Sequence, residues 1–327
     1  MTSSPQLLGI SNAIVDVLTH VDDDFLKRIG AEPGSMTLID KAQARALYGQ
    51  MGPATEMSGG SVANTVAGFA NLGGTAAYIG KVKADQLGTI FNHDMRSLGV
   101  DIRLVAAEDG APTARSHVLI TEDGQRTMQT YLGACLELCL ADITETTVGA
   151  PKAILLEGYV WDIAEGPALA KKAAAIAKAN GTTVALSLSD SFCVERHQES
   201  FMEFVREDVD IIVADEEEVY ALLGTRTIDG TLAALRDFDN LFAITRSEQG
   251  SVIVHGDTRI TQAATRVDNV VDTTGAGDAY SAGFLYGWAN DKSLDVCAKY
   301  GTHCATMVIQ QLGARIEPGL LDDFESV

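Results

Sequence analysis

Residues 272–278 read Asp-Thr-Thr-Gly-Ala-Gly-Asp, and a helical pattern of small and apolar residues follows them. Glycine lets a backbone approach an anion closely, and the first free N–H groups of a helix stabilise negative charge. Gly275, Ala276 and Gly277 therefore form a candidate anion cradle. Asp278 lies beside this cradle, where its carboxylate could accept a proton from a hydroxyl that attacks a phosphoryl group. This combination indicates a kinase.

A structural interpretation of Asp278 stands beside the catalytic one. Aspartate is among the preferred N-cap residues, so the same letters fit a helix cap that follows a tight glycine turn. These seven residues alone do not decide between a cap and a general base.

A second glycine-containing segment lies far upstream. Residues 59–65 read Gly-Gly-Ser-Val-Ala-Asn-Thr, and Gly73 and Gly74 follow them. This segment resembles the N-terminal signature of the ribokinase-like (PfkB) family of small-molecule kinases, and residues 272–278 resemble the family's C-terminal signature. The two stand in the family's order, and the similarity extends from about Gly9 to Ile316. The resemblance implies phosphoryl transfer from ATP to an alcohol.

The resemblance assigns five polar or small residues to the substrate's hydroxyl groups. The Asp16 carboxylate could accept hydrogen bonds from two adjacent sugar hydroxyls, although a charged residue on the wet face of a strand is the alternative. Gly59 and Gly60 would let the backbone lie against the substrate, and the Asn64 amide would bind its hydroxyls. A plain strand-to-helix connection explains the same letters. Asn12 completes this substrate group.

An acidic run follows the apolar stretch 211–213. Asp215 and Glu218 are three residues apart, share a helical face and could order the water shell of Mg²⁺. An acidic first turn that complements the helix dipole is the alternative. The run resembles the family's Asn-x-x-Glu motif, with Asp215 at the asparagine position. We therefore expect Mg²⁺ bound through water, together with ATP.

The resemblance also assigns residues to the nucleotide. Residues 245–250 resemble the family's Thr-x-Gly-x-x-Gly turn near ATP, with Ser247 in place of the first glycine, and an ordinary loop is the alternative. Residues 301–305 resemble the C-terminal helix of adenosine kinases. The residues assigned to ATP are Thr245, Gly250, Gly275, Gly277 and His303.

Two further assignments involve charge. Arg126 is similar in position to a lid arginine that approaches the transferred phosphate in adenosine kinases, so we place it with the substrate. Asp272 and Thr274 resemble residues that bind a monovalent cation in ribokinase. K⁺ could bind there, and bracing of the turn is the alternative.

The expected acceptor is the 5′-hydroxyl of adenosine. Residues 126–133 and 301–305 resemble the adenosine-kinase branch, and Met36, Tyr131 and Phe192 could enclose a purine, unless they only pack in the core. Ribose, fructose or a keto-deoxy sugar acid is the alternative acceptor. A catalytically idle nucleoside or nucleotide sensor on the same fold is a more distant alternative.

Composition limits the class of partner. With 45 acidic and 24 basic residues among 327, the net charge of −21 opposes nucleic-acid binding. No apolar run approaches the roughly 20 residues of a membrane helix, and the first residues lack a basic leader. We expect a cytoplasmic monomer or homodimer that binds only ATP and a small-molecule substrate.

Periodicity predicts an α/β fold. Apolar runs at 153–156, 183–188, 211–213 and 241–245 alternate with helical stretches such as 168–179, which indicates a mainly parallel sheet covered on both faces. Residues 12–19 and 115–130, with a turn at 122–125, alternate apolar and polar residues, which predicts strands with one exposed face.

The resemblance implies a Rossmann-like three-layer core with a small β-sheet lid. We expect one unit over residues 1–327, with the lid at about 12–55 and 103–133 and the core at about 56–102 and 134–327. A phosphate-binding P-loop, a dinucleotide fingerprint and a zinc His-Glu-x-x-His pattern are absent from the sequence.

Overall fold

The structure is a computed structural model that describes residues 4–122, 124–321 and 324. Asp123 of the expected turn and the outermost residues of the expected 1–327 unit lie outside the described residues. Within them the chain forms a nine-stranded sheet and a five-stranded sheet.

The larger sheet has the order β14-β13-β12-β11-β10-β9-β1-β5-β6. Its strands are β1 (Leu7–Ile10), β5 (Ala76–Ile79), β6 (Asp101–Ile102), β9 (Ala153–Glu157), β10 (Thr183–Ser187), β11 (Ile211–Asp215), β12 (Leu241–Thr245), β13 (Ser251–His255) and β14 (Thr258–Gln262). All neighbours are parallel except in the β12-β13-β14 meander, which is antiparallel. The predicted mainly parallel sheet is confirmed.

Helices cover both faces of this sheet. The helices are α1 (Asp23–Ile29), α2 (Lys41–Tyr48), α3 (Ser61–Asn71), α4 (Gln86–Ser97), α5 (Glu145–Val148), α6 (Gly166–Ala179), α7 (Ser191–Arg196), α8 (Gln198–Glu207), α9 (Glu216–Leu223), α10 (Ile228–Ala234), α11 (Ala276–Ala289) and α12 (Leu294–Val308). Of these, α1 and α2 pack against the five-stranded sheet instead. Successive side chains of β9 point to opposite faces: Ile154 and Leu156 belong to one buried cluster, Ala153 and Leu155 to another. The three-layer α/β core is therefore confirmed.

The smaller sheet has the order β3-β8-β7-β2-β4. Its strands are β2 (Ile14–His20), β3 (Met36–Leu38), β4 (Thr55–Gly59), β7 (Ala114–Ile120) and β8 (Arg126–Tyr131). The expectation that β7 exposes one face is wrong, because nearly the whole strand is buried. Phe25 of α1 and Leu47 of α2 pack with Leu119 of β7 and cover that side of the strand.

The carboxyl ends of the parallel strands lie at one edge of the larger sheet. Ile10 of β1 is in register with Leu156 of β9, and Asp215 of β11 with Thr245 of β12. Ligands of open α/β sheets bind outside this edge, and the helices α3 and α11 pack against each other beside it. In the described part of the chain, no helix has the length and apolar character needed to span a bilayer.

Candidate active site

Asp278 is the third residue of α11, and it does not cap the helix. The N-cap is Gly275, whose φ of 75° lies in the left-handed region that glycine adopts without strain. The Asp278 carboxylate accepts hydrogen bonds from Ser61 Oγ at 2.7 Å and from Asn64 Nδ2 at 3.0 Å, both on α3. The carboxylate is thus held in a fixed orientation by a neighbouring helix.

Burial changes the acidity of this carboxyl group. It raises the pKa of Asp278 from 3.8 to about 6, while the hydrogen bonds from Ser61 and Asn64 and the charge of Arg315 lower it. A pKa near 6 leaves Asp278 mostly ionised at neutral pH and more basic than an exposed aspartate. Such a group suits general-base catalysis.

The start of α11 has the form of an anion site. The first N–H groups of a helix have no acceptor within it, and among the described residues the amides of Gly277 and Asp278 have no backbone acceptor, which leaves them for a ligand. A Cβ at Gly277 would meet no heavy atom within 4 Å, so open space adjoins this turn. A Cβ at Gly275 would overlap Ala314, so the turn requires glycine there. Gly275, Ala276 and Gly277 therefore have the arrangement expected of the cradle.

Asp16 lies against the glycine pair that precedes α3. A Cβ on Gly59 would overlap the Asp16 carboxylate, and Gly60 has a φ of 97°. Burial raises the pKa of Asp16 to about 6, against the lowering effect of Arg315 and Arg126. Asp16 is half-buried and its carboxylate lies against Gly59, so it is not a fully solvated charge.

Asn12 and Asn64 are both buried near this carboxylate cluster. Asn64 does not face solvent, since its amide nitrogen donates to Asp278. Among the described residues, Asn12 Oδ1 is buried without a hydrogen-bond partner. A buried amide oxygen without a donor is costly, and a substrate hydroxyl would satisfy it.

Asp215 and Glu218 form a capping box at the start of α9. Asp215 Oδ1 accepts from the Glu218 amide at 2.8 Å, and Glu218 Oε2 accepts from the Asp215 amide at 2.9 Å. Burial, with the Asp215 charge beside it, raises the pKa of Glu218 to about 8. Each side chain keeps one carboxylate oxygen outside the box, and a nearby cation would favour the ionised form of Glu218. The pair therefore fits Mg²⁺ held through water.

Three of the five residues assigned to ATP lie outside the cradle, at the end of β12, before β13 and on α12. Thr245 ends β12, and Gly250, with a φ of 87°, closes the turn into β13. The His303 ring on α12 packs 4.9 Å from the Phe324 ring, and burial lowers the pKa of His303. A set of apolar side chains before α11 and at the end of α12 is exposed: Val270, Val271, Met307 and Leu312.

Arg126 forms a buried ion pair with Asp272. Asp272 also accepts hydrogen bonds from the amides of Thr274 at 3.0 Å and Gly313 at 2.8 Å. The structure therefore places Arg126 beside the turn that precedes the cradle. Asp272 is thus held by two backbone amides and Arg126, and a K⁺ site at Asp272 and Thr274 stays a prediction.

A match to a protein-family model identifies the family of the chain. Residues 38–319 match the model described as the pfkB family carbohydrate kinase. The protein belongs to the PfkB family. The expected kinase class and the predicted ribokinase-like fold are thus confirmed.

Two solved structures resemble this PfkB-family kinase over nearly its whole length. The adenosine kinase from Sinorhizobium meliloti is 46% identical, with a TM-score of 0.91 and 99% of each chain covered. A probable sugar kinase protein from Rhizobium etli CFN 42 is 43% identical, with a TM-score of 0.91 and 98% of each chain covered.

Two curated relatives are more distant. The guanosine-inosine kinase of Escherichia coli K12 is 27% identical over 68% of this chain, and the match spans only 54% of that relative's length. The 5-dehydro-2-deoxygluconokinase of Lacticaseibacillus casei is 29% identical over 78% of this chain and 81% of the relative.

Sequence reasoning missed three residues at this site. Glu157 ends β9, is buried, and accepts hydrogen bonds from the amides of Asn12 at 2.9 Å and Val62 at 3.2 Å. In the sequence, Glu157 could have been found as a single carboxylate at the end of the apolar run 153–156. Ser61 lies within the glycine motif of residues 59–65, but no role was assigned to it. Arg315, which reaches Ser58 and Ala63, carried no local signal because its partners are about 250 positions away.

Proposed function

We propose that this PfkB-family kinase transfers the γ-phosphoryl group of ATP to the 5′-hydroxyl of adenosine. The observation that carries the proposal is the Asp278 carboxylate, which α3 orients beside the free first-turn amides of α11. The preference for adenosine is supported by the adenosine kinase at 46% identity, and a nucleoside acceptor also by the guanosine-inosine kinase.

In the proposed reaction, each group has a defined task. Asp278 accepts the proton of the 5′-hydroxyl as that oxygen attacks the γ-phosphorus in line, while the bond from this phosphorus to the bridging oxygen breaks and ADP leaves. The amides of Gly277 and Asp278, at the positive end of the helix dipole, stabilise the charge that develops on the transferred group. Asp16 and Asn12 would bind the ribose hydroxyls, with the backbone of Gly59 and Gly60 against the sugar.

The metal and the nucleotide complete the proposal. Asp215 and Glu218 would hold Mg²⁺ through its water shell, and the ion when bound neutralises phosphate charge. Thr245, Gly250 and His303 would line the ATP side, with exposed apolar residues such as Val271 beside the nucleotide base. Asp272 and Thr274 stay the candidate residues for K⁺, and no step of the reaction is assigned to that ion.

Arg126 is proposed to reach the transferred phosphate only after leaving Asp272. For the purine, Met36 and Phe192 are 45% and 69% exposed, and the Arg115 guanidinium lies 5.9 Å from the centre of the Tyr131 ring. The two exposed side chains are therefore free to close on a base, whereas Tyr131 already has a partner.

A panel of acceptors tests the proposal. With MgATP, a coupled assay should give the highest kcat/KM for adenosine, below that guanosine and inosine, and much lower values for ribose, fructose and 5-dehydro-2-deoxygluconate. The sugar alternative has its own support in the Rhizobium etli and Lacticaseibacillus casei proteins. Preference for a sugar by tenfold or more would replace adenosine as the substrate, and no ATP consumption with any acceptor would favour a sensor.

A further inference from the structure

Residues 313–316, here called the C-terminal strap, contact both glycine segments of the site. The Gly313 amide donates to Asp272 Oδ2, and Ala314 packs directly against Gly275 at the start of the cradle. The Ile316 carbonyl accepts from Asn71 Nδ2 on α3 at 2.7 Å. The strap therefore joins α3 to the turn that precedes α11.

Arg315 is the charged residue of the strap, and its guanidinium holds the glycine turn from both sides. One terminal nitrogen donates to the Ser58 carbonyl at 2.5 Å and to Ser58 Oγ at 2.7 Å. The other donates to the Ala63 carbonyl at 3.4 Å. Ser58 precedes Gly59 and Gly60, and Ala63 follows them. Only a forked, planar cation can bridge the two positions, since a lysine offers a single nitrogen.

The charge of Arg315 acts on both carboxylates of the site. It lowers the pKa of Asp16 and of Asp278, whereas Arg126 does so only for Asp16. Burial lowers the pKa of Arg315 itself, although a guanidinium keeps its charge in proteins. The titratable and charged groups that face this cluster are Asp16 on β2, Tyr78 on β5, Asp94 on α4, Arg126 on β8, Glu157 on β9, Glu218 on α9 and Asp278 on α11.

We propose that Arg315 is a positioning residue of the phosphotransfer site, which fixes the Gly59–Gly60 turn against Asp16 and places a positive charge near Asp16 and Asp278. This inference rests on the proposed role of Asp278. Arg315 does not touch the reacting atoms, because its donors are directed to the backbone and hydroxyl of the turn. Its two contributions are separable. The forked hydrogen bonds of the guanidinium fix the Gly59–Gly60 turn, and its positive charge lowers the pKa of Asp278.

Arg315→Met and Arg315→Lys separate the two contributions. Without the positive charge the pKa of Asp278 rises. The acid limb of the pH profile of kcat/KM, where activity falls as Asp278 becomes protonated, should therefore move to higher pH by about one unit in Arg315→Met. This shift alone should lower kcat/KM about threefold at pH 6.5 relative to wild type, and that part of the loss should disappear by pH 9. Arg315→Lys keeps the charge and loses the fork, so its acid limb should match wild type while KM for adenosine rises about tenfold.

Arg226→Met, at an exposed position, is the matched control and should leave the pH profile and KM unchanged. A uniform loss of activity in Arg315→Met at every pH, without displacement of the acid limb, would reduce Arg315 to a purely structural residue. An unchanged KM in Arg315→Lys would contradict the role of the fork.

A second readout does not need kinase activity. Because the pKa values of Asp16 and Asp278 are raised in the folded protein, its stability increases as pH falls from 8 to 6. Loss of Arg315 should raise these two pKa values further, so stability should increase more steeply over the same pH range. Melting temperatures of wild type, Arg315→Met and Arg226→Met from pH 6 to 8 measure it. Parallel curves for wild type and Arg315→Met would overturn the electrostatic role, even if wild type phosphorylates no nucleoside. If Arg315→Met does not fold, the same slope is measured on Arg315→Gln.

Discussion

Asp278 combines two opposing influences on one side chain. Burial raises its pKa, and the hydrogen bonds from Ser61 and Asn64 limit the rise, so the group stays ionised near neutral pH. The same two hydrogen bonds fix where its oxygens point. Acidity and orientation of the candidate base are thus set by the same neighbours.

The pH dependence of the reaction follows from this acidity. A general base must be ionised, so kcat/KM should fall about tenfold per unit as pH drops below about 6. Ser61→Ala removes one hydrogen bond to the carboxylate and should move this acid limb upward by about 0.5–1 unit. Steady-state kinetics from pH 5 to 9 measure both effects, with the exposed Ser97→Ala as control. An acid limb that stays in place in Ser61→Ala would show that Ser61 does not tune the base.

Between elements, the contact of β2 with β4 determines the space beside Asp16. Gly59→Ala places a Cβ where the Asp16 carboxylate lies, so that carboxylate must move. We expect KM for adenosine to rise roughly tenfold to a hundredfold, with a smaller loss of kcat. Gly52→Ala is the control, because its Cβ would meet no heavy atom within 4 Å. Equal KM values in the two variants would remove Asp16 from the substrate site.

The start of α9 links metal binding to stability. The pKa of Glu218 is about 8 in the folded protein and near 4.5 when exposed, so its contribution to stability is lost as pH rises from 4.5 through 8. Glu218→Gln keeps the capping box and removes this loss. Without metal, the variant should be more stable than wild type at pH 8.5, by a margin that shrinks toward pH 4.5.

Glu218→Gln should also raise the Mg²⁺ concentration needed for half-maximal activity by roughly tenfold. Chemical denaturation at several pH values and Mg²⁺ titrations test the pair of effects, with the exposed Glu217→Gln as control. An unchanged Mg²⁺ requirement would leave Glu218 with the capping role alone.

Across the described part of the molecule, four buried or half-buried carboxyl groups have pKa values shifted in the same direction. Burial raises the pKa of Asp16 and Asp278 to about 6, of Glu157 to about 7 and of Glu218 to about 8. The stability that these carboxyl groups contribute is fully present below about pH 4, and it is lost as the pH rises through their folded pKa values of about 6 to 8. Burial lowers the pKa of His117 from 6.5 to about 4, so this residue decreases stability as the pH falls, but only below about pH 6.5. The ligand-free melting temperature should therefore fall by a few °C between pH 6.5 and 8.5.

Differential scanning calorimetry in metal-free buffer measures this dependence. Saturating MgATP and adenosine should raise the melting temperature, since ligand at about 100 Kd adds about 2.7 kcal/mol. A melting temperature that rises with pH over this range would contradict the ionisation states assigned to the site.

The core strands of the larger sheet could be predicted, because their apolar character is visible in consecutive residues. The apolar runs became β9, β10, β11 and β12, because a strand buried on both faces reads as a continuous apolar stretch. The outer face of β7 was mispredicted, since its cover comes from α1 and α2, which the alternation within β7 does not encode.

The same distinction holds at the site. Glycine motifs and Asp278 could be found from spacing, because backbone geometry requires those residue types. Arg315 could not, since an isolated arginine gains its meaning from Ser58 and Ala63, which only the folded chain brings near. The roles of the predicted site residues stay predictions until variants are assayed.

Turnover of Asp278→Asn tests the central claim most directly. With saturating adenosine and MgATP, AMP formation by the variant should fall roughly 10²–10⁴-fold, while adenosine binding and melting temperature stay close to wild type. Asp229→Asn, an exposed aspartate in the first turn of α10, should keep full activity. A folded Asp278→Asn protein that retains wild-type turnover would contradict the account.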